Sequence, residues 1–380
     1  MNRIVHENLA TAVAAAAKFC PGARCQKPIL RTVRVSREDD TTTVTATDLN
    51  VQITIAIQGG VGSGVSLVPA EAAKAGVRCV EYDDKVVVAG GVTSPAQDPM
   101  EYPCCQLLQS PATASLWFDV VEWIADAVSP ATDEYFSSQF AMGGIHLETA
   151  GGSVVAVATD GRRLHAIDSP SVSGPFGALD LISPPGVFTG LVQAVRAVAR
   201  DVLGVKGRRL ESILETSAAV QIRQSESDVE LRWSLDGITV AVSGRKVRGR
   251  FPPWRDFLVS GNSLGIISLP VKEGMEQLKA ASRFQTDRSK GVLFRDGKIT
   301  AGDEDTGVFE APMAGMMDSP AVKLNPAFVI DAIKAVGGVG GIEADFRVYG
   351  NLVRLDSLSG VNDYARLRIA ISPLSIDSES

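Results

Sequence analysis

Histidine and cysteine are scarce in this chain: three histidines (His6, His146, His165) and five cysteines (Cys20, Cys25, Cys79, Cys104, Cys105) in 380 residues. Cys20-x4-Cys25 and the adjacent Cys104-Cys105 lack the ligand spacing of a zinc site, and the histidines form no pattern for a nucleophile or a ligand set. No serine lies in a G-x-S-x-G elbow. These absences leave no catalytic residue, no metal and no cofactor to expect. No apolar run reaches 18 residues, and residues 1–19 lack the apolar core of a secretory signal. The expectation is a cytoplasmic protein with free thiols and no membrane partner. Positive charge is also short, the net charge being −7. Nucleic-acid-binding domains usually run basic. A protein that surrounds DNA without gripping it needs the right sign only on its inner surface, so charge has to be judged helix by helix.

What is present is repetition. Val154–Leu164, a β-rich run ending in the turn Thr159-Asp160-Gly161-Arg162-Arg163, has an echo in Val44–Leu49 and a weaker one in Lys298–Asp303. The cores lie roughly 110 and 145 residues apart, one in each third of the chain. At 45% hydrophobic and 21% charged, the chain can bury two or three cores of roughly 120 residues each. The reading is an α+β protein of three repeated units, each with two helices packed on antiparallel sheets.

Apolar periodicity predicts helices at 6–19, 69–78, 116–128, 184–203, 270–284 and 326–336. Asn325 is the expected N-cap of the last, Gly337-Gly338 its stop, and Lys74 and Arg78 should share one side of the second. Strands are expected at 29–36, 41–48 and 51–57, with a turn at Asp39-Asp40, and at 145–148, 153–158, 178–182, 219–222, 229–233 and 238–243. In the last third they fall at 291–294, 298–301, 307–313, 342–348, 351–357 and 364–371.

Gly59–Gly64 looks like a nucleotide loop, but no helix follows at once and the P-loop lysine is missing, so it reads as a hairpin tip. Asp303, Glu304 and Asp305 suggest a metal, although a solvated turn explains them equally well. The turn at 159–164 and the segment Gly249-Arg250-Phe251-Pro252-Pro253-Trp254 admit two readings: a peptide groove with an apolar floor and charged lips, or a structural hinge packed with aromatics.

At four stretches the chain resembles the bacterial sliding clamp family, the β subunit of DNA polymerase III. They are Lys27-Pro28-Ile29-Leu30 followed by Thr45–Leu49, then Ala156 with Thr159–Leu164, then Gly249–Pro252, and last Ile371-Ser372-Pro373-Leu374. The resemblance implies three DNA-clamp (processivity-fold) domains at 1–113, 114–260 and 261–380. It implies two chains closing head to tail as a ring dimer around double-stranded DNA, nucleoid-associated in the cytoplasm. Implied partners are a replicative DNA polymerase subunit, a clamp loader and other clamp-motif proteins, which bring a short peptide with a glutamine and spaced Leu or Phe side chains. Carried over by motif, the pocket for that peptide uses Met142, Thr159, Gly161, Arg163, Leu164, Pro252, Phe257, Ser372, Pro373 and Leu374. The family's Met-Pro-Met-Arg-Leu tail is here Ser372-Pro373-Leu374-Ser375-Ile376. Asp256 stands where an arginine is common, which suggests a partner with a basic residue. DNA-facing candidates are Arg24, Lys27, Lys74, Arg78, Arg196, Arg200, Lys272, Lys279 and Arg283, while Asp119, Glu122 and Asp126 spoil the basic stripe. Two rivals remain: a clamp-fold scaffold that does not encircle DNA, and a metal-dependent enzyme using Asp160 or the Asp303/Asp305 region.

Overall fold

The computed structural model describes residues 2–22, 24–132, 140–172, 177–202, 214, 219–258, 261–285, 290–303, 305, 307–312, 316–317, 320–338, 342–357 and 365–375. One order of elements recurs six times: a strand, a helix or helical turn, and a three-stranded meander. The first pass is β1 (Asn2–Val5), α1 (Leu9–Ala17), β2 (Thr32–Glu38), β3 (Thr41–Thr47) and β4 (Val51–Gln58). After the two-residue β5 (Val61–Gly62) comes β6 (Gly64–Pro69), a 3-10 turn (Ala70–Ala75), β7 (Cys79–Tyr82), β8 (Val86–Ala89) and β9 (Val92–Pro95). The third pass is β10 (Ala114–Trp117), α2 (Phe118–Trp123) prolonged as a π-helix (Ile124–Val128), β11 (Ile145–Ala150), β12 (Ser153–Thr159) and β13 (Arg163–Pro170). The fourth is β14 (Asp180–Ser183), α3 (Pro185–Val202), β15 (Ala219–Gln224), β16 (Asp228–Leu235) and β17 (Ile238–Arg245). The fifth is β18 (Gly265–Pro270), α4 (Val271–Ala281), β19 (Val292–Arg295), β20 (Lys298–Asp303) and β21 (Gly307–Pro312). Following β22 (Met316–Met317), the sixth is β23 (Val322–Leu324), α5 (Pro326–Gly338), β24 (Glu343–Val348), β25 (Val353–Ser357) and β26 (Arg366–Ile371).

The passes are coupled in pairs by exchange of their first strands. β1 joins β7 while β6 joins β2; β10 joins β15 while β14 joins β11; β18 joins β24 while β23 joins β19. A strand that leaves its own meander for its sister's ties two short, individually weak sheets together. This is an α+β architecture of repeated helix-and-sheet units.

The chain divides into two compact units. The first comprises Met1–Glu122, Ser171–Leu179 and Ser183–Lys246, and the second Trp123–Pro170, Asp180–Ile182 and Val247–Ser380. In the first, an eight-stranded sheet runs β10-β15-β16-β17-β4-β3-β2-β6 and a five-stranded one β5-β1-β7-β8-β9. α1 packs on α3, and Gly190 permits it: a Cβ there would stand 2.7 Å from the Phe19 ring. Ile53, Ile55 and Ile57 of β4 and Val240 and Val242 of β17 are buried. In the second unit the sheets run β14-β11-β12-β13-β26-β25-β24-β18-β22 and β21-β20-β19-β23, and α4 packs on α5.

Residues 102–113 form an extended strap over the eight-stranded sheet, fastened largely through its own backbone. The Gln52 amide both accepts from the Cys105 N–H (2.7 Å) and donates to its carbonyl (2.8 Å). Glu230 accepts from the Leu108 N–H (2.9 Å), and Arg232 donates to the Leu108 carbonyl (2.9 Å). Tyr102 donates to the Thr32 carbonyl at one end, and the Thr113 N–H to the Ile222 carbonyl at the other. Glu230 is fully buried, and its charge is carried by Arg232 beside it.

Several sequence expectations hold. Asp39 takes φ 50° in the β2–β3 turn, and the Asn325 side chain accepts from the Ala327 N–H at the start of α5. Others are corrected. The first helix starts only at Leu9, because Asn2–Val5 pairs with β7. Leu116, expected on a helix, lies in β10 opposite Val220; over four residues an apolar strand and a helix face read alike. The helix expected at 69–78 is a 3-10 turn closed by Gly76 at φ 76°, so Arg78 lies beyond it and shares no face with Lys74. α5 continues through Gly338.

Gly59–Gly64 is not a free hairpin tip. Arg37 donates to the carbonyls of Asp39 (2.9 Å), Gly60 (2.8 Å) and Gly62 (2.9 Å), and Gly59, Gly60, Gly62 and Gly64 all take positive φ to present them. The loop cages a guanidinium and so turns acceptors, not phosphate-binding N–H groups, inward.

His165 is fully buried on β13, its Nδ1 bonded to the Ala127 carbonyl of the π-helix (2.6 Å). Burial lowers its pKa to about 4 from the usual 6.5. The folded state therefore binds fewer protons than the unfolded one between these values. His165 should cost nothing above pH 6.5 and progressively more as pH falls towards 4, reaching about 3 kcal/mol. Urea midpoints measured across that range should flatten in His165→Gln relative to the parent.

Candidate functional site

The echoed sequence motif is an echoed turn, reproduced atom for atom. In the first copy Thr47 Oγ1 donates to the Val51 carbonyl (2.9 Å) and accepts from the Leu49 N–H (3.0 Å), while Asp48 Oδ1 accepts from the N–H groups of Asn50 and Val51 (2.9 Å each). In the second, Thr159 Oγ1 donates to the Arg163 carbonyl (2.6 Å) and accepts from the Gly161 N–H (3.1 Å), and Asp160 Oδ1 accepts from Arg162 and Arg163 (2.9 Å each). The third position is left-handed in both: Leu49 at φ 78°, Gly161 at φ 82°. The third echo differs, with Asp303 paired across a shorter connection to Gly307.

Equal turns carry unequal faces. Thr47 lies opposite Gln52 and Thr159 opposite Leu164, so these residues are register equivalents. From Gln52 onward that face is polar and holds the strap. From Leu164 it is apolar: Val155, Val157, Leu164, Ala166 and Ala370 join Ala141, Ile182, Phe251, Trp254, Tyr349 and Leu352 in one buried cluster, with Val247 and Leu258 against it. The opposite face of β12 and β13 is buried as well, through Val154, Ala156, His165 and Ile167, which explains the unbroken apolar run in the sequence.

The segment 249–258 is pinned over this cluster. His146 stacks on Phe251 at 4.8 Å and bonds Asp180 (2.9 Å). Trp254 lies under the guanidinium groups of Arg255 and Arg368, Arg255 pairs with Glu148, and Arg354 donates to the Leu258 carbonyl (3.0 Å).

The expected pocket residues are distributed as follows. Thr159, Leu164 and Pro252 are buried, and Met142 is half-buried with its Sδ 4.0 Å from where a Cβ of Gly161 would stand. Ser372 is exposed and donates its N–H to the Arg162 carbonyl (2.8 Å). Phe257 is 52% exposed. Pro373 is half-buried; Leu374 bridges to Lys323 and lies against Gly291. Arg163 is engaged rather than free: it bonds Asp160 (3.0 Å), Asp331 (2.7 Å) and the Pro130 carbonyl, over the Phe328 ring at 4.4 Å. It fastens the turn to α5. Val155, Val157, Ala166, Ala370, Tyr349 and Leu352 were missed, although alternation along β12 and β13 marks the first three.

Of the candidate cations, Arg24, Lys27, Lys74, Arg78, Lys272, Lys279 and Arg283 are exposed, and none forms an ion pair among the described residues. Arg196 pairs through two of its nitrogens with Glu122, one of the three acids that spoiled the basic stripe, and Arg200 pairs with Asp201 (2.9 Å). Among the described residues no group of three or more His, Cys, Asp or Glu could hold a metal ion, and Glu304 lies outside them. No helix among them is long and apolar enough to cross a membrane.

No protein-family model matches the chain, and no curated protein matches it. Solved structures do. The DNA polymerase sliding clamp of Bacillus subtilis superposes with TM-score 0.76 at 16% identity, covering 98% of each chain. The β subunit of DNA polymerase from Streptococcus pyogenes gives 0.77 at 14%, over 99% of this chain and 100% of the other. The sliding clamp of Bartonella birtlesii, solved bound to griselimycin, gives 0.75 at 19%, with the same coverage. The chain shares their fold over essentially its whole length.

Proposed function

We propose that the chain is a subunit of a DNA sliding clamp. Two copies close head to tail into a ring around duplex DNA, and the apolar cluster near Leu164 holds partner peptides such as that of a replicative polymerase. The domains in this reading are 1–113, 114–260 and 261–380. The observation that carries it is a pattern of strand edges. The last strand of one pass meets the last strand of another twice within the chain, β4 with β17 and β13 with β26. The remaining last strands, β9 and β21, each have one sheet neighbour among the described residues. Unpaired edges invite a partner chain, and a second copy supplies both missing junctions by one two-fold axis.

Such a ring does no chemistry. It raises processivity because a closed loop cannot leave DNA sideways, while weak contacts to phosphate leave it free to slide. Sedimentation at micromolar concentration should find twice 40.1 kDa; a monomer would overturn the ring. Because Arg196 is tied to Glu122, reversing its charge would disturb the fold, so Lys272, Lys279 and Arg283 make the cleaner test. Changing all three to Glu should shorten retention on a nicked circle after loading, without altering the mass. Parent-like retention would mean that α4 does not face the duplex.

A further inference from the structure

Most arginines around the Leu164 cluster are spent on carboxylates of the same unit. Arg163 is taken by Asp160 and Asp331, Arg255 by Glu148, Arg354 by Asp356 and Arg368 by Asp168. Arg162, Arg248 and Arg250 are not. All three are exposed, and none has an ion-pair partner among the described residues. Backbone contacts place Arg250 and Arg162 on either side of one short segment. The Arg250 carbonyl accepts from the Ala141 N–H (3.0 Å), and a Cβ at Gly249 would lie 2.8 Å from that of Ala141. Ala141 belongs to the cluster, and the next residue, Met142, approaches Gly161 beside Arg162. Arg248 stands two residues before Arg250. Two exposed carboxylates on the segments around the cluster carry the opposite sign: Asp256, and Asp180, which is already bonded by His146.

We propose that this site selects a peptide whose apolar anchor is flanked by acidic side chains, with Arg162, Arg248 and Arg250 as the residues that select it. The inference rests on the pocket reading above and reverses the sign expected from Asp256 alone. Guanidinium groups pair with carboxylates through two parallel hydrogen bonds, and rim charges of this kind govern encounter rate and specificity. Nucleic acid would bring anions too, but single strands bind by stacking bases on exposed rings. Here Phe251 and Trp254 are buried at 8% and 3% exposure and Phe257, at 52%, is the single exposed ring of segment 249–258, one platform where a strand of bases needs a row, which favours a peptide.

The test is fluorescence anisotropy on the full chain with labelled peptides sharing the core Gln-Leu-Ala-Leu-Phe, flanked at both ends by two aspartates, two serines or two lysines. The aspartate form should bind about tenfold more tightly than the serine form at low salt, about 1.4 kcal/mol, and the gap should narrow at high salt. In the triple variant Arg162→Gln, Arg248→Gln, Arg250→Gln the gap should close to about twofold; the three single variants, each at an exposed position, guard against a fold defect. Equal binding of aspartate and serine forms, or preference for lysine, overturns the proposal. Displacement of the aspartate form by an equal concentration of a short DNA oligonucleotide overturns it in favour of nucleic acid. If the folded protein binds none of the three peptides, the pocket reading itself fails, a result distinct from binding without acidic preference.

Discussion

Replacing Arg163 by alanine should destabilise the protein by about 3 kcal/mol, because it removes the guanidinium shared by two partly buried carboxylates and leaves Asp331 only the more exposed Lys334 (3.3 Å). Asp160 and Asp331 are 16% and 23% exposed and converge on the one guanidinium, itself 10% exposed. Asp160 also organises the turn by accepting from two N–H groups, so its charge cannot swing away without undoing the turn. Arg163→Lys keeps a cation but loses the fork that serves Asp160, Asp331 and the Pro130 carbonyl together, and should fall between alanine and the parent. Urea unfolding with amide exchange at residues 161–163 measures both effects. A loss below about 1 kcal/mol, the range of an exposed pair, would show that the network contributes little.

Glu230→Ala should cost as much or more, about 3–5 kcal/mol, since it leaves Arg232 half-buried without its counter-ion and the Leu108 N–H without an acceptor. Glu230→Gln retains an acceptor but not the charge, and should cost less. The informative readout is local. Exchange at Leu108 should rise in both variants, and protease should cut within 103–110 before any global unfolding. If the strap stays protected in Glu230→Ala, the Gln52 clasp and the Tyr102 anchor suffice to hold it.

Much of this was legible in the sequence. α3 announced itself by an amphipathic pattern long enough to exclude a strand. The Thr-Asp turns were legible because their side chains satisfy backbone groups within five residues, so the structure is local and the motif complete. Phe251 and Trp254 stood out as an aromatic, proline-flanked segment, and they share one buried cluster with Leu164. Long-range partners were not visible. The strap is fastened by Gln52, Glu230 and Arg232, and nothing near Cys105 or Leu108 in the chain hints at them. Arg163 looked like a free lip because its partner Asp331 is 168 residues away. β1 and β10 are four residues each, too short for period to speak, and exist because a sister meander offers an edge.

The linkers have a mechanical consequence. At the β4–β17 seam, seven residue pairs are bridged over by the strap from Tyr102 to Thr113. At the β13–β26 seam, six residue pairs are bridged over by segment 249–258, pinned by Trp254 and three arginines. In the proposed ring the remaining seam would join β21 to the four-residue β9, which ends in Pro95 and so lacks one donor, and no covalent linker can reach over it. A loop under load parts at its weakest joint. Prying the ring open should therefore separate the two chains cleanly, with the β4–β17 and β13–β26 seams of each intact and the chains ready to close again.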